Sequence, residues 1–252
     1  MKVGYAVLYE DRELVISKNH IILPKKIEID YGKFEDTLVP WKNDFYKIKK
    51  IQIFNQVKTM YMSDWFKDFI NLTTLINFKN LDVSDCTDFS YAFYNCKSLK
   101  TLKELATWNV SNGTDFSFMF GHCISVLNIK DLQDWNVSNG TDMNSLFSDC
   151  KSLQDLNGLE NWNVSNGTDF SYMFYNCESL QDINSLENWN VSNMKDVSAI
   201  FEYCESLQNI FVPNTFNILK KDMFYKCAPT LKIYWKKHIY TYKDLLEYRE
   251  IS

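Results

Sequence analysis

A period of 27 residues runs through the middle of this chain and restricts its fold more than any other feature. Trp108, Trp135, Trp162 and Trp189 lie 27 residues apart, as do Cys96, Cys123, Cys150, Cys177 and Cys204. Segments 135–161 and 162–188 are identical at 18 of 27 positions and share WNVSNGTD, a Phe, a Cys, SLQD and LEN. Self-similarity at this period marks a repeat architecture, in which each unit buries its apolar side against its neighbours. The period decays outward. Leu81 stands in the Trp position, and Phe66, Phe69, Leu72 and Leu75 keep register one period earlier. Phe224 and Cys227 repeat the Phe-Cys pair after a shortened interval. The units fall at 54–80, 81–107, 108–134, 135–161, 162–188 and 189–211, so 54–211 is an array of about six repeats. Residues 1–53 are expected to form a β-rich amino-terminal cap. Residues 212–252 are expected to form a carboxyl-terminal cap, with a strand in TLKIYW and a short helix in KDLLEYRE, because an uncapped solenoid exposes its core.

Each repeat holds two spacings. Phe170, Met173, Phe174 and Cys177 fall at offsets 0, 3, 4 and 7, the stripe of an amphipathic helix. The stripe recurs as Phe116, Met119, Phe120, Cys123 and as Met143, Leu146, Phe147, Cys150. Thr168 or Asp169 just before it suits a helix N-cap, so the pattern predicts about two helical turns per repeat. After the Cys the apolar spacing becomes three, through Leu180, Ile183, Leu186 and Trp189. That predicts a brief extended piece around 181–184 and then a corner, with successive pieces stacked as parallel strands about 4.8 Å apart. The expected fold class is α/β: a leucine-rich-repeat solenoid with short parallel strands on one face and short helices on the other, capped at both ends.

The elements NWNVSNGTDFSYMFYNCESLQDI and WNVSNGTDMNSLFSDCKSL resemble the repeats of the BspA-like leucine-rich-repeat surface proteins, which are also common in mycoplasma-type lipoproteins. The opening GYAVLYEDRELVIS, with Trp41 and KKIQIFNQV, is similar to the cap that precedes such repeats. The resemblance covers nearly the whole chain. It implies a non-enzymatic solenoid displayed on a cell surface and used in adhesion or host-protein binding.

Composition narrows the rest. Seven Gly and four Pro in 252 residues exclude collagen-like and linker architectures, and 46% apolar content excludes wholesale disorder. Seven cysteines cannot all pair within one chain. One Cys per repeat on the apolar stripe reads as a buried thiol, since a metal or redox ladder needs further ligands close by. Cys86 lies off this column and is expected to be exposed. The Trp and Phe columns are expected to face inward. Net charge is 10 − 8 = +2 over residues 1–53, 9 − 20 = −11 over 54–211 and 8 − 4 = +4 over 212–252. An acidic centre argues against duplex nucleic acid, which requires a continuous basic face. The amino terminus has no secretory signal pattern, and no apolar run reaches transmembrane length. The expectation is a soluble chain without membrane insertion, cytoplasmic by default, with reduced thiols.

No catalytic constellation is readable. His20, His122 and His238 are scattered, and neither a P-loop nor a dinucleotide fingerprint occurs. The column Asp88, Asp115, Asp142, Asp169, Asp196 could in principle hold calcium, but the Gly-rich nonapeptide of calcium-binding β-rolls is absent, and helix capping is the plainer role. The Asn-Gly sequons read as turn chemistry. Neither enzymatic activity, nor a cofactor, nor a metal is expected.

Binding residues in solenoids are the non-core positions that vary between copies. The candidates are Lys100 and Lys103, Asn128 and Lys130, Gln154, Asp155 and Asn157, Gln181, Asp182 and Asn184, and Gln208 and Asn209. They should flank the strand face, passing from basic to acidic along the array. The expected function is recognition of a protein partner along this face by a chain that is monomeric unless part of an assembly. The alternative, suggested by Lys- and Asn-rich usage, is a structural subunit of a larger particle.

Overall fold

In a computed structural model, which describes residues 2–35, 37–217, 219–247 and 250–251, each 27-residue period is one coil of a solenoid. The N–H groups of Phe89, Tyr91, Phe93 and Asn95 donate to the oxygens of Asp115, Ser117, Met119 and Gly121 at 2.8, 3.0, 2.9 and 2.7 Å, each 26 residues ahead. The same four-rung ladder joins Phe116–His122 to Asp142–Ser148 and Met143–Asp149 to Asp169–Tyr175. Main-chain donors therefore stack the coils.

This ladder excludes the predicted helices. Between its rungs, the N–H groups of Ala92, Tyr94 and Cys96 donate back three residues to Phe89, Tyr91 and Phe93 at 3.2, 3.0 and 3.2 Å. The stripe is thus a chain of overlapping β-turns. Tyr91 and Asn95 have φ of 56° and 63°, and a positive φ at the third position defines a type II turn. An α-helix would spend every interior N–H within itself. Here alternate N–H groups leave for the next coil, and the apolar side chains still point inward. An eight-residue helix is marginal alone, whereas a neighbouring coil supplies an acceptor for each outward donor. Among the described residues the array contains no α-helix, so the helical face of the expected α/β solenoid is replaced by a face of turns.

Regular strands gather at the two ends. β1 (Lys2–Tyr9) and β2 (Glu13–Ser17) form an antiparallel hairpin, and β3 (Ile27–Glu35) pairs with β1. β4 (Lys50–Ile53) runs parallel to β2. β5 (Val57–Lys58) lies parallel to β7 (Leu81–Asp82), and β6 (Thr74–Ile76) completes a sheet of order β3-β1-β2-β4-β6. This sheet carries the apolar core of the first segment into the array, with Trp41 buried and its Nε1–H donating to Trp65 O at 2.8 Å. At the other end lie β8 (Asn209–Phe211), β9 (Leu219–Lys220), β10 (Lys232–Trp235), β11 (His238–Thr241), α1 (Tyr242–Glu247) and β12 (Glu250–Ile251). β10 pairs parallel with β8 and antiparallel with β11, and β12 pairs with β9.

The extended piece expected around 181–184 is not a strand. Asn184–Leu186 forms a 3-10 turn, as do Lys103–Leu105 and Lys130–Leu132. The same repeat position is a strand only in β6 and β8, five periods apart, where β4 and β10 from the end segments supply a partner. In the inner coils a side chain captures the local donor instead: Asp155 and Asp182 carboxylates accept the N–H of Asn157 and Asn184 at 3.0 Å. Parallel bridging in the array occurs at the Asp column, from Asp88 through Asp115, Asp142 and Asp169 to Asp196. The Asp residues cap no helix. Each accepts the N–H two residues on, as Asp115 does from Ser117 at 2.8 Å, closing an Asx-turn into the ribbon.

One apolar core runs through all coils. Phe93, Phe120, Phe147, Phe174, Phe201 and Phe224 stack in sequence with centroids 5.6–5.9 Å apart. The Cys and Trp columns are buried, and each ties its coil to the one before. Cys123 Sγ–H donates to Phe93 O at 3.2 Å and Trp135 Nε1–H to Leu105 O at 3.0 Å. Cys86 is not exposed but fully buried. Its Sγ–H donates to Thr59 O at 3.4 Å, and its position belongs to the column Cys86, Gly113, Gly140, Gly167, Met194. A Cβ at Gly113 or Gly167 would overlap the ring of Phe116 or Phe170. Where the column carries Met194, the residue three further on is the smaller Val197.

Candidate functional site

Every one of the predicted binding residues is at the surface. Lys100, Lys103, Asn128, Lys130, Gln154, Asn157, Gln181, Asn184, Gln208 and Asn209 are exposed, while Asp155 and Asp182 are half-buried. The main chain stacks their central column directly: Gln154 N–H donates to Leu127 O at 3.4 Å and Gln181 N–H to Gln154 O at 3.1 Å. Gln208 O accepts from Lys232 at 2.7 Å. A shallow polar depression of about 670 Å³ is lined by Gln181, Asp182, Glu205, Gln208, Asn209 and Thr230. Lys100, Lys103, Asn128 and Lys130 lie in earlier coils and do not line it. One oxygen of each of the Asp155 and Asp182 carboxylates is engaged in an Asx-turn, and the Gln154, Gln181 and Gln208 side chains are exposed beside them. No strand backs this face in the inner coils.

A second surface was not legible in the apolar pattern, because it occupies the positions between the stripe residues. Tyr91, Phe118, Ser145, Tyr172 and Ala199 occupy one column of the turn ribbon, and Lys67, Tyr94, Gly121, Ser148, Tyr175 and Glu202 another; the large side chains of both reach the surface, while Gly121, Ser145, Ser148 and Ala199 are buried. Tyr91 stacks on Phe118 at 4.7 Å, and Tyr94 lies edge-on to Tyr91 at 5.3 Å and to His122 at 5.2 Å. Further along, Tyr172–Tyr175 and Tyr175–Tyr203 contact at 5.6 Å and Tyr203–Tyr225 at 6.2 Å. Beside them Asp149 accepts from Asn176 Nδ2 at 2.6 Å and lies 3.5 Å from His122 Nε2. The recurrence of Tyr-x-x-Tyr after three periods is the sequence signal for this surface.

Electrostatics assign the remaining columns to structure. Burial raises the thiols of Cys96, Cys150, Cys177 and Cys204 well above their ordinary value and pushes Cys123 and Cys227 up to about 12. They stay protonated at neutral pH and lack the thiolate character a nucleophile needs. Burial also raises the Asp142 carboxyl, and the neighbouring Asp115 and Asp169 add to the shift. Among the described residues, no three His, Cys, Asp or Glu side chains converge in a metal-binding geometry, and no helix is long and apolar enough to cross a membrane.

The molecule is a repeat scaffold: stacked coils with a shared core and two laddered side-chain surfaces. The family described as "Mycoplasma protein of unknown function, DUF285" matches residues 39–155 and 124–232, and the chain belongs to that family. The mycoplasma-type repeat anticipated from the WNVSNGTD motif is therefore its family repeat. No curated protein matches the chain. Two solved structures are similar to it. A leucine rich cell surface protein from Faecalibacterium prausnitzii A2-165 is 16% identical, with 91% of this chain and 86% of that one covered and a TM-score of 0.25. A leucine-rich repeat protein from Eubacterium ventriosum ATCC 27560 is 12% identical, with 94% and 97% covered and a TM-score of 0.23.

Proposed function

We propose that the chain is a non-enzymatic solenoid that binds a protein partner through the ladder centred on Gln154, Gln181 and Gln208. The observation that carries this reading is a column of exposed Gln residues on successive coils, Gln181 bonded through its main chain to Gln154, that ends at the polar depression lined by Gln181 and Gln208. Amides repeated along a rigid scaffold can pair with the main chain or polar side chains of an extended partner segment. The buried, protonated state of the repeated thiols favours binding over covalent chemistry. Adhesion is the form of binding that the BspA-like resemblance suggests. The test is capture of partners from extracts with the wild type and with Gln154→Lys, Gln181→Lys and Gln208→Lys combined. Loss of the captured proteins supports the assignment, and retention of all of them removes it.

A further inference from the structure

The array contains two copies of one aromatic pair, and among the described residues a cation lies over the first and none over the second. In the first copy, Tyr91 and Tyr94 meet at 5.3 Å and 65°. Lys67, from the coil before, places its Nζ 4.3 Å from the Tyr91 centroid and 5.8 Å from that of Tyr94. Asp64 fixes the ammonium at 2.9 Å. The other side of Tyr91 is covered by Phe118. Three coils on, Tyr172 and Tyr175 repeat the geometry at 5.6 Å and 61°. There the positions of Asp64, Lys67 and Phe118 are taken by Ser145, Ser148 and Ala199. These are too short to cover a ring, and Tyr172 is 43% exposed. Among the described residues no ammonium lies over Tyr172 or Tyr175.

The surroundings of the second copy are acidic. Glu202 follows Tyr175 by one period, and among the described residues no basic side chain pairs with it. Its carboxyl is raised by burial and by Asp222, as expected of an acid short of counter-charge. Asp149 and Glu202 both act on the Tyr175 hydroxyl, which burial raises first. The array as a whole carries 9 − 20 = −11 over residues 54–211. A cation over the face of a Tyr ring is attracted by the ring quadrupole, and Glu202 on the following coil adds negative potential beside the pair.

We propose that Tyr172 and Tyr175, with Glu202, form a receptor for a lysine side chain of a protein partner, on the side of the coil that carries the turn ribbon. The partner's ammonium lies over the exposed Tyr172 ring, as Lys67 lies over Tyr91. The inference rests on the reading of the chain as a protein-binding scaffold but uses a surface separate from the Gln ladder.

The experiment is fluorescence anisotropy of a labelled decapeptide of alternating Gly and Lys, titrated with the full chain, beside the same peptide with its lysines acetylated. The lysine peptide binds and the acetylated one does not. Tyr172→Ala weakens binding about two- to fivefold and Tyr172→Ala with Tyr175→Ala about tenfold, the scale of one and two exposed cation–π contacts. Ser148→Lys supplies an internal ammonium and also weakens binding. Because Ser148 is buried, its variant is read only if its thermal unfolding matches the wild type. Tyr172→Ala decides otherwise, since Ala199 already occupies that position in the next coil at a φ of 55°. Equal binding of the acetylated peptide, or unchanged binding by the Tyr variants, overturns the proposal; the latter result would leave only the diffuse field of the array. Gln154→Ala, Gln181→Ala and Gln208→Ala combined leave the peptide bound, so failure of the ladder and failure of the lysine receptor are separate results.

Discussion

The indole Nε1–H of Trp162 donates to the carbonyl oxygen of Leu132, 3.0 Å away in the preceding coil. Trp108, Trp135 and Trp189 repeat this bond to Phe78, Leu105 and Leu159. Trp162→Phe keeps most of the apolar area but removes this link between coils, leaving the Leu132 carbonyl with the Trp135 N–H alone, at 3.1 Å. One neutral hydrogen bond is worth about 0.5–1.5 kcal/mol, so the urea midpoint should fall while the denaturant slope stays constant. A midpoint equal to wild type would show that the indole bond adds nothing beyond the Trp135 N–H.

The thiol column should be silent in the native protein. With the thiols buried and protonated, a disulfide reagent at neutral pH should label none of the seven until the chain is unfolded. The same burial sets a pH dependence. The native thiol of Cys123 holds its proton up to about 12, against an ordinary value of 9.0. Its stabilising contribution is therefore complete below pH 9.0 and declines as the pH rises towards 12, because only the unfolded thiol ionises in that window. Urea titrations between neutral and alkaline pH should show the decline, and Cys123→Ala should reduce its slope.

Asp142 is half-buried between Asp115 and Asp169, and its carboxyl is raised by burial and by those neighbours. A raised acid favours the fold while protonated and loses that contribution as the pH climbs through its native pKa. Asp142→Asn removes the charge and keeps an oxygen for the Asn144 N–H, which donates at 2.9 Å. It should be more stable than wild type at neutral pH by about 0.2–1 kcal/mol, the scale of a like-charge cross-strand pair. The advantage should shrink in acid. Asp142→Ala, which leaves the N–H unpaired, should be less stable than Asp142→Asn at every pH.

Gly167 owes its place to packing rather than to backbone freedom. An added Cβ would overlap the Phe170 ring, and overpacking of this kind costs about 1–3 kcal/mol. Gly167→Ala should therefore destabilise the chain. Combined with Phe170→Val it should cost less than the two single changes added together, because Met194 and Val197 already realise the exchanged sizes one coil later. A double-mutant cycle measures this coupling, and strict additivity would refute it.

Deleting residues 229–252 removes β10, whose Ile233 and Trp235 are buried and which pairs with β8. The last coil would then present its apolar end to water, and the truncated chain should aggregate or lose cooperative unfolding. A soluble, cooperative truncation would show that the coil closes without this segment.

The sequence by itself determined the period, the coil boundaries and the inward columns of Phe, Trp and Cys, because large apolar residues at a fixed spacing have only one way to share a continuous core. It also placed Gln154, Gln181 and Gln208 at the surface. Only the tertiary structure decided the local backbone. Offsets of 0, 3, 4 and 7 serve an α-helix and a run of overlapping turns equally well, so the apolar stripe could not tell them apart. The choice lay with the N–H groups of residues such as Phe89 and Phe93, which find acceptors in Asp115 and Met119 only once the next coil is present. A faint sign was available in Asn95, Asp149 and Asn176, residue types that tolerate the positive φ they adopt. Tyr91 and Tyr172 adopt it without any such sign, held there by the inter-coil ladder. The strands were displaced for the same reason: a strand needs a partner, and β6 and β8 find theirs in β4 and β10 from the ends. Cys86 lies inside because its column, filled by Gly113, Gly140 and Gly167 in the next coils, is buried, and a column of such unlike residue types does not announce itself in the sequence. Local preference leaves the path of each coil undecided, and the hydrogen-bonding needs of the stacked coils settle it.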